Sequence, residues 1–214
     1  MNIILFGATG QTGREVLKQA LERGHRITVV ARDPSRIALN HERLTVMTGD
    51  AREAQSVLAA MPGHEAVINA MGPGGPDISD QFLDILTEGT RNLVEGMKAA
   101  GILRIVSMGS AGTLQATTEL LIRDMPNFPA MALNISGAHL QAWKTLEASG
   151  LEWTLLCPPA RVEPGSRSGQ YRVREDYMLD GGPMLKIAYG DMADFLLNEA
   201  EQGEHVGHRV NIAY

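Results

Sequence analysis

Six short apolar runs recur along the chain, each followed by a longer amphipathic stretch. They are NIILF (2–6), RITVVA (26–31), RLTVM (43–47), EAVINA (65–70), RIVSM (104–108) and EWTLLC (152–157). Most are nearly unbroken in Val, Ile and Leu, as strands buried on both faces of a parallel sheet should be. The stretches between them predict helices over about 11–23, 52–60, 78–99 and 136–149. In the third, Ile78, Phe82, Ile85, Leu86, Leu93 and Met97 recur at helical spacing and mark a buried stripe. Parallel strands need crossovers, and helices supply them, so the alternation predicts an α/β fold with a doubly wound parallel sheet. A chain of 214 residues can bury such a core as a single domain, residues 1–214.

Two regions break the alternation. Residues 111–135 combine glycine, two prolines and several methionines between a strand and a helix. Residues 158–190 carry a hairpin-like pair, GQYRVRE and PMLKIAY, before a last helix near 191–201 and a closing strand, HRVNIA. Both follow the C-terminal ends of strands, where ligands bind in open α/β sheets, and they are candidate substrate walls or plain surface loops. The formal charge of −6 gives no general attraction for nucleic acid. No apolar run approaches the roughly 20 residues that cross a bilayer, so no membrane partner is expected. The first strand begins at Asn2, which predicts no leader peptide and cytoplasmic residence. The single cysteine, Cys157, excludes an internal disulfide and lies in an apolar run that predicts an inert, buried thiol.

The most informative turn is FGATGQTG. Gly7, Gly10 and Gly13 follow the first strand at once and open the first helix, the context in which a glycine pattern holds a pyrophosphate. Gly7 allows the turn, Gly10 lets backbone N–H groups approach a phosphate, and Gly13 lets the helix pack closely on the strand. The helix N-terminus then faces the anion. At the end of the second strand, where NAD-specific sites place a carboxylate, the sequence reads VVARDPSR. Arg32 and Arg36 can instead hold a 2′-phosphate, which favours NADP(H); as the alternative they are a solvated surface pair. Asp33 is expected to cap the turn at Pro34. Asp50, past the third strand, either reaches an adenine or caps the helix at 52–60, two compatible roles.

GATGQTG, VVARDPSR, TGDA, GTRNLVEGMKAAGILRIV, KTLEASGLEWTLLCPPA and GDMADFLL together resemble the atypical short-chain dehydrogenase/reductase group, in particular its biliverdin-IX-beta reductase or flavin reductase branch of NAD(P)H-binding proteins. The resemblance covers essentially the whole chain and implies a Rossmann-type NAD(P)-binding domain. It places the phosphate loop on Gly7 to Thr12, including Thr9, Gln11 and Thr12. It puts 2′-phosphate contacts on Arg32, Ser35 and Arg36, and adenine contacts on Asp50 and Ala51. Met71 and Gly72 would pass beneath the ribose, and Thr87 would touch the cofactor. Ser110 would lie near the nicotinamide, and Pro158, Pro159, Ala160 and Arg161 would flank its carboxamide.

The departure from that group concerns catalysis. Ordinary members carry a Tyr-x-x-x-Lys pair on the helix after the fifth strand, whereas here Lys144 is preceded at that spacing by Leu140. Lys144 remains a candidate cofactor contact. His139 is the nearest replacement for the phenol, and it stands about 140° from Lys144 around an ideal helix, so the two need not act together. His139 is expected to pack near the cofactor rather than to donate a proton, and Ser110 could bond cofactor or substrate. A carbonyl reductase needs a positioned acid for its alkoxide. Hydride transfer to a flavin or quinone leaves a delocalised anion that solvent can protonate, so the missing phenol favours such small-molecule acceptors. Met125, Phe128 and Met131 could form an apolar lid over one, or merely cover the sheet edge. The expected activity is therefore an NADPH-dependent reductase of flavins, quinones or tetrapyrroles. A dinucleotide-binding redox sensor and a carbonyl or double-bond reductase are the alternatives. A monomer is expected, with a dimer possible, and no metal.

Overall fold

Residues 1–72 and 83–214 are described by the computed structural model. Its first six strands, β1 (Asn2–Phe6), β2 (Arg26–Ala31), β3 (Leu44–Thr48), β4 (Ala66–Asn69), β5 (Arg104–Met108) and β6 (Glu152–Leu156), match the six apolar runs to within a residue at each end. Four more strands follow, the short β7 (Arg161–Glu163), β8 (Arg172–Glu175) and β9 (Lys186–Ala188) and the longer β10 (His208–Ala213). The helices are α1 (Gln11–Glu22), α2 (Ala54–Ala60), α3 (Asp84–Ala100), α4 (Leu133–Glu147) and α5 (Tyr189–Gln202). Of the predicted stripe, Leu86, Leu93 and Met97 are buried on α3, while Ile78 and Phe82 lie outside the described residues.

The main sheet has the order β3-β2-β1-β4-β5-β6-β10-β8. All neighbours are parallel except β8, which runs antiparallel to β10. Successive side chains of a strand point to opposite faces, and β1 divides its residues accordingly. Ile3 and Leu5 join the core under α1 and α5. Ile4 and Phe6 join the core under α2, α3 and α4. Helices on both faces of a mostly parallel sheet make the chain a doubly wound, Rossmann-like domain.

The hairpin expected between residues 169–175 and 183–189 does not form. β8 pairs with β10, with Val173 opposite Ile212, and β9 pairs in parallel with β7, with Ile187 opposite Val162. The reason lies in their surroundings. Every residue of β8 is exposed, whereas Ile187 and Ala188 are buried, so the two runs belong to different layers. Asp176, with a left-handed φ of 56°, turns the chain away at the end of β8.

At the N-terminal ends of β5 and β6 the core encloses a buried ion pair. The Arg104 guanidinium donates to the Glu199 carboxylate at 3.0 Å, to the Glu199 carbonyl at 2.7 and 3.0 Å and to the Thr154 hydroxyl at 2.8 Å. His205 Nδ1 lies 2.7 Å from the other Glu199 oxygen.

Candidate cofactor site

The glycine turn is shaped by contacts that no side chain could share. Gly7 follows β1 with φ +87°, and a Cβ there would lie 2.5 Å from the Ala70 carbonyl. A Cβ on Gly13 would lie 2.1 Å from the Gly7 oxygen and 2.8 Å from the Ala8 Cα, so α1 rests directly on the turn. Gly10 differs: the nearest heavy atom to its Cβ position is the Gly7 oxygen at 3.4 Å, and beyond it the space is open. The first N–H groups of α1 have no acceptor within the helix, and no side chain caps them. The turn thus offers backbone donors to an anion, and its open side at Gly10 leaves room for one.

In front of it lies a cleft of about 1010 Å³. Of the predicted residues, Gly7, Thr9, Gly10, Gln11, Thr12, Arg32, Arg36, Asp50, Ala51, Met71 and Gly72 line it. They come together because β1 lies between β2 and β4, so the chain leaves the strand ends toward opposite sides of the sheet. Beyond β4 the path is fixed by Asn69, whose Oδ1 accepts from the Met71 N–H at 3.0 Å and whose Nδ2 donates to Ser107 at 2.8 Å.

The charges follow the same division. Arg32 and Arg36 are exposed, and among the described residues neither has an ion-pair partner. Asp33 caps the 3-10 turn Pro34–Arg36 as expected. Its carboxylate accepts from the Ser35 hydroxyl at 2.5 Å and the Ser35 N–H at 3.1 Å, and the hydroxyl bond holds its pKa below the usual value. Ser35 therefore points its hydroxyl at Asp33 and does not line the cleft. Asp50 requires a correction. It does not cap α2, which begins at Ala54 behind Glu53. Arg52 holds its carboxylate instead, with Nη2 at 2.6 Å and Nε at 3.1 and 3.2 Å. A guanidinium two residues away supplies several charged donors where the helix offers weaker backbone ones, and it lowers the Asp50 pKa.

The remaining predicted residues do not line the cleft. Gly13 lies beneath the turn. Thr87 is half-buried on α3, two residues from the lining residue Ile85 and so on the opposite face of the helix. Ser110 is half-buried, and its hydroxyl oxygen accepts from the Gly112 N–H at 3.2 Å. His139 is buried on α4, where desolvation pushes its pKa down to about 4 and Nδ1 has no partner among the described residues. Lys144 is corrected: its ammonium is exposed, lies 2.9 Å from Glu147 and sits over the Trp143 ring at 4.2 Å, engagements on the outer face of α4. Pro158, Pro159 and Ala160 follow β6, and Arg161 opens β7 with its side chain exposed. Met131 is 80% exposed and Met125 38%, so both face solvent, while Phe128 packs near Gly112. Cys157 is buried, and desolvation pushes its thiol up to about 11, in keeping with an inert role.

Local spacing misses two parts of this site. Tyr189, the first residue of α5, lines the cleft from far along the chain. The GDMADFLL stretch is structural: Asp191 accepts from Ser168 N, Ser168 Oγ, Gly169 N and the Tyr214 hydroxyl at 2.6 to 2.8 Å, which fixes the segment before β8.

The sequence matches the NAD(P)H-binding family over residues 7–202. The chain belongs to that family. It is 30% identical to the Bacillus subtilis protein YwnB, an alignment that covers 99% of this chain and 98% of that protein. Among solved structures, a Burkholderia pseudomallei protein described as exported is 30% identical, with a TM-score of 0.86 and full coverage of both chains. A Streptococcus pneumoniae protein described as an NADH-flavin reductase superposes with a TM-score of 0.83 at 22% identity, over 100% of this chain and 99% of that one. The family binds NAD(P)H, which makes the cofactor a nicotinamide dinucleotide. The residues fit such a group, because the open side of Gly10 and the uncapped start of α1 meet the requirements of its pyrophosphate. Among the described residues no helix is long and apolar enough to cross a membrane.

Proposed function

We propose that the protein is an NADPH-dependent reductase whose acceptor is a conjugated planar molecule: a flavin, a quinone or a tetrapyrrole. The observation that carries the cofactor preference is the pair of guanidinium groups just past β2, Arg32 and Arg36, which have no ion-pair partner among the described residues. A 2′-phosphate supplies the direct partner they lack, while the Asp33 carboxylate, though it feels the Arg36 charge, is held by the Ser35 hydroxyl. Bound NADPH supplies a hydride. The protein's part is to hold the dinucleotide along Gly7 to Thr12, with the adenosine end at Arg32, Arg36, Asp50 and Ala51.

The acceptor class follows from what α4 offers. Leu140 stands where a phenol would stand, and His139 is a neutral, buried imidazole at working pH. Such a helix suits an acceptor whose reduced form is a delocalised anion, protonated by solvent. Ser110 remains the candidate contact to the nicotinamide or acceptor. Likeness to the pneumococcal flavin reductase fold agrees with this reading.

The test is to mix the protein with NADPH and follow nicotinamide absorbance with and without free flavin, a simple quinone or a linear tetrapyrrole. Oxidation that depends on one of these acceptors is expected. Saturable NADPH binding with no oxidation across the panel would replace this reading with a redox sensor.

A further inference from the structure

Tyr189 ends the PMLKIAY run and is not among the expected cofactor residues, yet its backbone is held on both sides. Its ring is half-buried against the core shared by α1 and α5. The residue before it, Ala188, donates its N–H to the Tyr214 hydroxyl at 3.1 Å. The residue after it, Gly190, abuts the backbone of residues 165–167, and a Cβ there would lie 2.4 Å from Arg167 N. Next comes Asp191, fully buried, with four hydrogen bonds to its carboxylate. Gln19 of α1 donates to the Gly190 carbonyl at 2.8 Å.

Within this frame the phenol itself is free. Tyr171 donates its hydroxyl to Asp194 and Tyr214 to Asp191, but among the described residues the Tyr189 hydroxyl has no partner. A cleft-lining side chain whose backbone is fixed on both sides and whose hydroxyl has no partner among the described residues is preorganised for a ligand.

Its place along the cleft says which part of a ligand it meets. The cleft runs from Arg32, at the end of β2, across the turn after β1 to Met71 and Gly72, after β4. α5 packs against α1, β4 and β5, on the side away from β2. With the adenosine end at Arg32 and Arg36, the other half of the dinucleotide lies on the β4 side. We infer that Tyr189 is a cofactor-positioning residue that contacts the nicotinamide half, through its ring and its unpartnered hydroxyl. The inference rests on the proposed orientation of the cofactor, and its test separates the two.

Calorimetric titration of wild type, Tyr189→Phe and Tyr189→Ala with NADPH and with the adenosine half alone, 2′,5′-ADP, tests it. The expected result is a loss of NADPH affinity of about tenfold for Tyr189→Ala and a smaller loss for Tyr189→Phe, with 2′,5′-ADP affinity unchanged in both. A residue needed only for structure would weaken both ligands together, so equal losses overturn the inference. Unaltered NADPH affinity in Tyr189→Ala overturns it as well. A wild type that binds neither NADPH nor NADH overturns the cofactor reading along with it. Tyr189→Phe keeps the packed ring, and its melting temperature should match wild type.

Discussion

At the N-terminal end of β5, Arg104 is buried and each nitrogen of its guanidinium has an acceptor, the Glu199 carboxylate among them. At the C-terminal end of β2, Arg32 and Arg36 are exposed beside a concave cleft and have no ion-pair partner among the described residues. A charge removed from water must be matched by the protein itself, whereas a charge left in water can wait for a ligand. The same side chain therefore serves stability at one end of the sheet and binding at the other. Substitutions should separate the two.

The largest effect is expected at the buried end. Glu199→Ala leaves Arg104 enclosed with neutral acceptors only, and should lower unfolding free energy by about 3–5 kcal/mol in urea titrations, with cofactor affinity unchanged. A loss below about 1 kcal/mol would mean that water reaches the pair and would remove the contrast. At the cleft, replacing Arg32 and Arg36 together with alanine should leave the urea midpoint in place. It should weaken NADPH about a hundredfold and NADH hardly at all. Equal weakening of both cofactors would assign the arginines to something other than a 2′-phosphate.

The smallest effect per unit of pH concerns His139, a third case, buried but neutral. Its folded pKa of about 4 lies below the ordinary 6.5, so the unfolded chain takes up the proton first as pH falls. Its contribution to stability is intact above pH 6.5 and declines between 6.5 and 4, by at most about 1.4 kcal/mol per pH unit. Unfolding curves across that window should show a shallower acid loss for His139→Leu than for wild type. Parallel losses would show that the imidazole is solvated.

The central strands of the main sheet are legible because strands buried on both faces need nearly unbroken apolar runs, as in β1, β4 and β5. The phosphate turn was legible because Gly7 and Gly13 answer to backbone contacts a few residues away. The short strands were not: three or four residues carry too little pattern to name a partner, and β8 and β9 were matched to each other instead of to β10 and β7. Of the two roles the sequence allows Asp50, an adenine contact and a helix cap, the cap fails because its side-chain partner, Arg52, looks like any surface arginine in the sequence. Glu199 and Tyr189 gave no signal, since an acid on a helix and an aromatic at its start acquire meaning only from the elements packed beside them.

The exposed strand β8 has a consequence for how the sheet ends. Its residues are Arg172, Val173, Arg174 and Glu175, and the two guanidinium groups are tied to Asp180, Met178 and Tyr214 oxygens. An outside strand approaching that margin would have to displace water from a row of charges for a few backbone hydrogen bonds in return. Charge along this rim of the eight-stranded sheet thereby works against edge-to-edge strand addition there.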